Sequence, residues 1–234
     1  AMFERYSDIG KFVEFLNNSN SAPYAVQYAV NGMESARRMI DLLNKAMTDS
    51  RYSEKGHEVQ KAINDYGQML KNNELLTDLL LAELPLLMSP SKGFVEESHR
   101  RLERIGERLE ERKESWKKFL DEGIENLSEE SGIEREFIEK TRKRLGYVDS
   151  LYDGIISFTG KKEFTEEDVD RVRKMFNGLI GILAMAEFIH QTIIMEESMM
   201  NLMVEDRKEQ KSTGYFDGGW EEIRREVTGD KSKE

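Results

Sequence analysis

The chain has 234 residues, of which 35 are basic and 46 acidic, a formal net charge of −11, and no cysteine. At that length a single domain buries roughly three quarters of the surface its unfolded chain exposes, so a core needs no disulfide or structural metal. Zero Cys removes zinc fingers, thiol nucleophiles, Fe–S clusters and disulfide scaffolds together, and the acidity opposes attraction to phosphate backbones, so no nucleic-acid partner is expected.

Met2-Phe-Glu-Arg-Tyr6 places an acid and a base where an apolar targeting segment would begin, and a cytoplasmic location is expected. The high Glu, Lys and Arg content suggests a thermophilic source, which 12 methionines argue against. Long windows follow a 3.6-residue period and none alternates at two, which predicts an all-α bundle of about six helices.

Pro23, Pro85 and Pro90 are read as the main interruptions. A first helix is predicted over about Phe3–Leu16, closed by the loop-forming run Asn17–Ser21. A second opens at Pro23, suited to a first helical turn, and runs to about Met47. Its apolar stripe is read as Val26, Val30, Met33, Arg37, Ile40 and Leu43. A third spans about Ser53–Met88, with a break near Asn72-Asn73 and a more buried second half carrying Leu75, Leu76 and Leu79–Leu81.

Beyond Pro90 the pattern becomes heptad-like. Val95, Leu102, Leu109 and Trp116 fall seven apart, with Ser98, Ile105, Arg112 and Phe119 three residues after each, a coiled-coil-like seam broken by one Arg. Asp121–Ser131 is the turn, and Ser131 with Glu134 forms a capping box for a return helix to about Phe158, where Ile138, Leu145 and Tyr152 repeat at seven. Residues 94–158 thus form a long antiparallel hairpin projecting from a bundle domain of residues 1–207. Thr165 with Asp168 caps the last long helix, which runs to about Asp206.

That helix is the most apolar part of the chain. Met175–Ala186 carries no charge, and Gly178, Gly181, Ala184 and Ala186 keep its surface low, so it is expected to be the central core helix. A membrane span needs about 20 apolar residues, whereas this run reaches about a dozen before Glu187, so a span is not expected. From Glu187 a polar stripe of His190, Glu197, Asn201 and Glu205 lies opposite Ile189, Ile193, Met200 and Met203, which predicts a wet face.

The most enzyme-like pattern is a pair of Glu-x-x-His units, Glu96–His99 and Glu187–His190. In ferritin-like carboxylate proteins two such units and two further Glu bind two metals, because i and i+3 project toward a shared centre. In an up-down layout, however, the two units lie on the order of 20–30 Å apart along the bundle, so neither metal nor cofactor is expected. Glu110-Glu-Arg-Lys-Glu114 matches half of the magnesium motif of all-helical nucleotide pyrophosphatases, but its acidic partner on a following helix is missing. His57 at a helix start and the cluster Lys140, Arg142, Lys143 and Arg144, neutralised by Glu134, Glu136 and Glu139, read as surface.

Residues 208–234 form a tail of different character. Tyr215 and Phe216 sit among glycines, and Trp220, Ile223 and Val227 lie at i, i+3, i+7 on a short helix. Either the tail folds back on its own bundle or it docks in a groove of a second copy or another protein. The whole reads as a non-catalytic helical interaction or scaffold protein, expected to form a homodimer or bind a protein partner, with the hairpin seam and the Gly178/Gly181 helix as self-association surfaces. The rival classes are a metal-dependent helical enzyme, of ferritin-like or nucleotide-hydrolase type, and a peripheral membrane protein.

Overall fold

Periodicity of 3.6 translates into helix along nearly all of the chain that the structure, a computed structural model, describes: residues 22–89, 91–123 and 133–209. Six α-helices occur among the described residues: α1 Ala22–Met47, α2 Gly56–Met88, α3 Lys92–Gly123, α4 Arg135–Leu145, α5 Val148–Ser157 and α6 Glu166–Glu209. Short 3-10 turns at Ser50–Lys55 and Phe158–Gly160 complete the order, and no strand occurs among the described residues. The all-α fold is therefore as the sequence predicts. The first predicted helix, Ser131 and residues 210–234 of the tail lie outside the described residues, while residues 208 and 209 end α6.

The described residues group into two compact units. Residues 22–33 and 69–193 form one, and residues 34–68 and 194–209 form the other. The second holds buried Ala36, Met39, Leu43, Val59, Ala62, Tyr66 and Ile194, with Lys61 paired to Glu197 and, at 3.7 Å, to Asp65.

The first unit is an up-down bundle whose register can be read from paired side chains. Arg108 reaches Asp78 at 2.6 Å and Arg101 reaches the Leu81 carbonyl at 3.4 Å, so α3 runs antiparallel to α2. Asp121 pairs with Arg142 at 2.5 Å and Lys113 with Asp149 at 2.6 Å, which sets α4 and α5 antiparallel to α3. Arg173 donates to the Leu86 carbonyl while Asn72 donates to Glu187, so this stretch of α6 is antiparallel to α2. Leu75, Leu79, Leu86, Leu102, Trp116, Leu120, Ile138, Phe176, Leu183 and Ile189 share one core.

Several expectations are corrected by this packing. The hairpin does not project: its seam of Val95, Leu102, Ile105, Leu109 and Trp116 is buried in the common core, so it is spent inside the unit and offers no self-association surface. Arg112 is buried within that seam and pairs with Glu111. The return segment is two helices, because Gly146 and Tyr147 turn with i→i+3 bonds to Lys143 and Arg144 before helix resumes at Val148. It begins at Arg135, with Glu134 at the N-cap and no side-chain cap bond. On α1 the inward face is Ala29, Ala36, Met39 and Leu43, whereas Val30 and Arg37 face solvent, because small residues allow the closer approach.

Helix α2 passes unbroken through Asn72-Asn73, and Pro85 lies inside its last turn. Proline lacks the N–H that would bond the carbonyl of residue 81, and Arg101 supplies a donor there instead. The Leu86 carbonyl, also at that end, is met by Arg173 through Nε at 3.2 Å and Nη2 at 2.6 Å. The predicted cap of α6 is present in full: Asp168 N–H donates to Thr165 Oγ1 at 3.2 Å and Thr165 N–H to Asp168 Oδ2 at 3.3 Å. The Lys161 ammonium, bonded at 2.7 Å, leads in holding the Asp168 carboxyl below its ordinary value, with the Thr165 N–H adding to it.

Candidate functional site

Two features of the first unit stand apart from apolar packing: a closed polar centre and an open apolar groove. The polar centre is built on Glu187 of α6, whose residue is fully buried. Its Oε2 accepts from Asn72 Nδ2 of α2 at 2.5 Å and from Trp116 Nε1 of α3 at 2.8 Å. Its Oε1 accepts from Asn73 Nδ2 at 3.2 Å and Gln191 Nε2 at 3.3 Å. His190 Nδ1, one turn along, lies 3.3 Å from Oε2 and 3.3 Å from Asn72 Nδ2, and its ring meets Phe119 edge-on with centroids 4.1 Å apart.

A carboxylate taken out of water costs several kcal/mol unless its lone pairs are filled. Here donors from two neighbouring helices and from α6 itself fill them, so the group is saturated. The geometry also requires Gly32: a Cβ there would come within 2.8 Å of the Asn73 amide that serves Glu187. This corrects the expectation of a wet face beginning at Glu187, since Glu187 and His190 are both interior.

The other Glu-x-x-His unit lies elsewhere. Glu96 is half exposed and 3.8 Å from Lys92, and His99 is 3.4 Å from Glu103. Trp116 opposite Glu187 and Phe119 opposite His190 set the α3–α6 register, which leaves Glu96 on the order of 30 Å from the level of Glu187 at ~1.5 Å per residue. Among the described residues no group of three or more His, Asp or Glu converges as metal ligands would. Glu110, Glu111 and Glu114 lie on an exposed face. The docking candidates Tyr215, Phe216, Trp220, Ile223 and Val227 lie outside the described residues.

Sequence reasoning missed Asn72, Asn73 and Trp116 as members of the polar centre, taking the first two for a helix break and the third for plain seam. The available signal was the amide pair at stripe positions between Met69 and Leu76, both of which are buried. It also missed Glu83 of α2, which is 1% exposed with neither carboxylate oxygen bonded. Burial pushes that carboxyl up to about 7, against the pull of the Arg173 charge. Ser98 of α3 is likewise buried with an unbonded hydroxyl.

The groove lies where α4 gives way to α5 alongside α6. Its volume is about 460 Å³, and it is lined by Arg144, Tyr147, Ser150, Leu151, Met175, Gly178, Ile182 and Met185. The 146–147 turn lifts Tyr147 outward to 55% exposure. Gly178 keeps the floor low, with Leu151 at ordinary contact distance from where its Cβ would be, and Arg144 Nη1 lies 3.5 Å from Met185 Sδ. No protein-family model matches the chain, and neither does any curated protein or solved structure.

Proposed function

We propose that the protein is a helical interaction module that docks a segment of another polypeptide, or of a second copy, in the groove between the α4–α5 turn and α6. The observation that carries this reading is the composition of that groove. Its apolar floor of Met175, Ile182, Met185 and Leu151 is rimmed by Arg144 and the exposed Tyr147. Interfaces are enriched in Tyr, Arg and Met, and the unbranched thioether adapts to an incoming side chain. Gly178 keeps the groove floor low, where Leu151 packs over it.

The polar centre favours the same reading over an enzyme. Glu187 and His190 are enclosed and the Glu187 oxygens are filled by donors, so no substrate reaches them without the bundle opening. The apolar tail residues Tyr215, Phe216, Trp220, Ile223 and Val227 are proposed as a second docking element, used in the same kind of contact. A protein partner or a homodimer in the cytoplasm fits this reading.

The test is Tyr147→Glu, an exposed position whose change leaves the core intact. The full chain and the variant are compared by sedimentation for oligomer mass and by pull-down from the native host for partners. A lower mass or loss of a co-purifying protein is expected. Unchanged mass together with an unchanged set of partners refutes the groove as the docking site.

A further inference from the structure

The groove between the α4–α5 wall and α6 has a direction, and its charge lies at one end. Its register is fixed along its whole length. Arg144 Nη1 lies 3.5 Å from Met185 Sδ, a Cβ on Gly178 would sit 3.5 Å from Leu151 Cδ1, and a Cβ on Gly154 would sit 3.0 Å from Met175 Sδ. Residue numbers rise along one wall as they fall along the other, so the walls are antiparallel and Tyr147 comes level with Ile182. From Met175 to Met185 the trough follows α6 for ~15 Å.

Arg144 is the one charged residue among those lining the trough. The last turn of α4 carries Arg142, Lys143 and Arg144, and these differ in what they meet. Arg142 is committed to Asp121 and Glu139. Arg144, partly buried, reaches the Met185 thioether, and among the described residues neither it nor the exposed Lys143 forms an ion pair. A thioether is a weak acceptor. A guanidinium is thus held beside an apolar surface without an anion, where pairing with a carboxylate is stronger than in open water. At the Met175 end, Lys174 is neutralised by Asp170 at 2.7 Å. The acids of α5 do not line the trough: Asp149 pairs with Lys113 of α3, and the charge of Asp153 acts on Tyr152. One end is therefore positive and the other neutral.

We propose that the occupant is an acidic amphipathic helix of a partner protein, with apolar residues at i, i+3 or i+4, and i+7 in the trough and an Asp or Glu carboxylate on Arg144. Both walls are helices whose backbone groups are already bonded to one another. An extended peptide laid between them would bury N–H and C=O groups without partners, whereas a helix satisfies its own. Anchors from i to i+7 span ~10.5 Å, which fits within the trough. The carboxylate meets the guanidinium through two parallel N–H···O bonds, and Lys143 adds attraction during approach. The assignment rests on this groove being the docking site, and adds to it the chemistry of the partner and the end at which its acid lies.

Fluorescence polarisation on the full chain tests it, with helical probe peptides carrying Leu at i, i+3 and i+7 in an Ala/Gln background. One set has a pair of Glu residues beside the Leu stripe, at either end, and the other has a pair of Lys residues in the same places. The Glu set is expected to bind roughly tenfold tighter than the Lys set, the size expected for one hydrogen bond to a charged group. Arg144→Gln should remove that preference and Arg144→Glu should reverse it, with unchanged thermal melts. Ser150→Trp, a neutral change that fills the trough from an exposed lining position, should abolish binding of both sets. Equal affinities for the two sets, lost together in Ser150→Trp, overturn the acidic partner and leave the docking site standing. A Glu preference that persists in Arg144→Gln also overturns the proposal. Binding of neither set, or binding that survives Ser150→Trp, overturns the docking site as well. A chain that sediments as a dimer and becomes monomeric in Ser150→Trp holds a second copy in the trough, which overturns the assignment to a partner protein.

Discussion

Glu83 gives the sharpest test of how this bundle is held together. Its carboxyl is buried, has no hydrogen-bond partner, and is raised by burial from an ordinary 4.5 to about 7. In the unfolded chain the group loses its proton near 4.5, whereas in the fold it holds the proton until about 7. Over that window the native state binds more protons than the unfolded state, so stability falls as pH rises and then levels off above about 7. The full penalty is on the order of 3 kcal/mol. Glu83→Gln keeps the shape and removes the ionisation. Its amide is still buried without a partner, but that cost does not depend on pH. The stability difference between variant and native protein should therefore shift in favour of the variant by roughly 3 kcal/mol between pH 4.5 and pH 8, about 6–12 °C in Tm for a chain of this size. Paired thermal melts at a series of pH values measure it, and subtracting the curves cancels the other carboxylates. A difference curve that is flat across that range would show that Glu83 titrates normally and that the reasoning from burial is wrong.

Two further predictions concern the polar centre and the glycines. Trp116→Phe keeps the ring in the core and removes the Nε1–H that Glu187 accepts at 2.8 Å. A hydrogen bond to a charged group is worth about 1.5–3 kcal/mol, and denaturant unfolding at pH 7 should show that loss. Gly32→Ala should destabilise by roughly 1–3 kcal/mol, because its Cβ would press on Asn73 and disturb the donor to Glu187. Gly67→Ala, also within a helix but with nothing inside 4 Å of its Cβ, should instead stabilise by about 0.5–1 kcal/mol. Opposite signs for the two glycines are the expected result, and a gain at both would show that Gly32 is not a packing position.

What was legible in the sequence follows from what local patterns encode. The 3.6 period of apolar positions announced the helical stretches of the described chain while running α4 and α5 together as one, and the Thr165–Asp168 cap was readable because both partners lie within one turn. The heptad seam located the buried face of α3 down to Trp116. The turn at Gly146-Tyr147 was not legible, because Ile138, Leu145 and Tyr152 keep their spacing across it while the backbone tightens. Nor was the register between helices, and the polar centre depends on that register. Asn72, Trp116 and Glu187 are separated by 115 and 71 positions in their bonded pairs, so nothing local to any one of them reveals the others. The stripe on α1 was misjudged by treating Val30 as core, since small residues such as Ala29 and Ala36 carry little hydrophobic signal yet decide where helices approach.

The polar centre bears on why so apolar a helix adopts one arrangement. Residues of α6 include a stretch with mean hydropathy 1.6, long and apolar enough to cross a membrane, and 72% of that window is buried inside the fold. Apolar contacts alone would tolerate a slip of one turn, ~5.4 Å, with modest loss. Glu187 changes that balance: a slip would carry its carboxylate away from Asn72, Asn73 and Trp116 and leave a buried charge unpaired, a loss of roughly 3–5 kcal/mol. The same carboxylate is a poor resident of hydrocarbon, where it would lose donors held by α2 and α3. The cluster therefore adds little to net stability while penalising the competing registers of α6. Trp116→Phe and Gly32→Ala, which weaken it from two different helices, should for that reason broaden the unfolding transition as well as lower it.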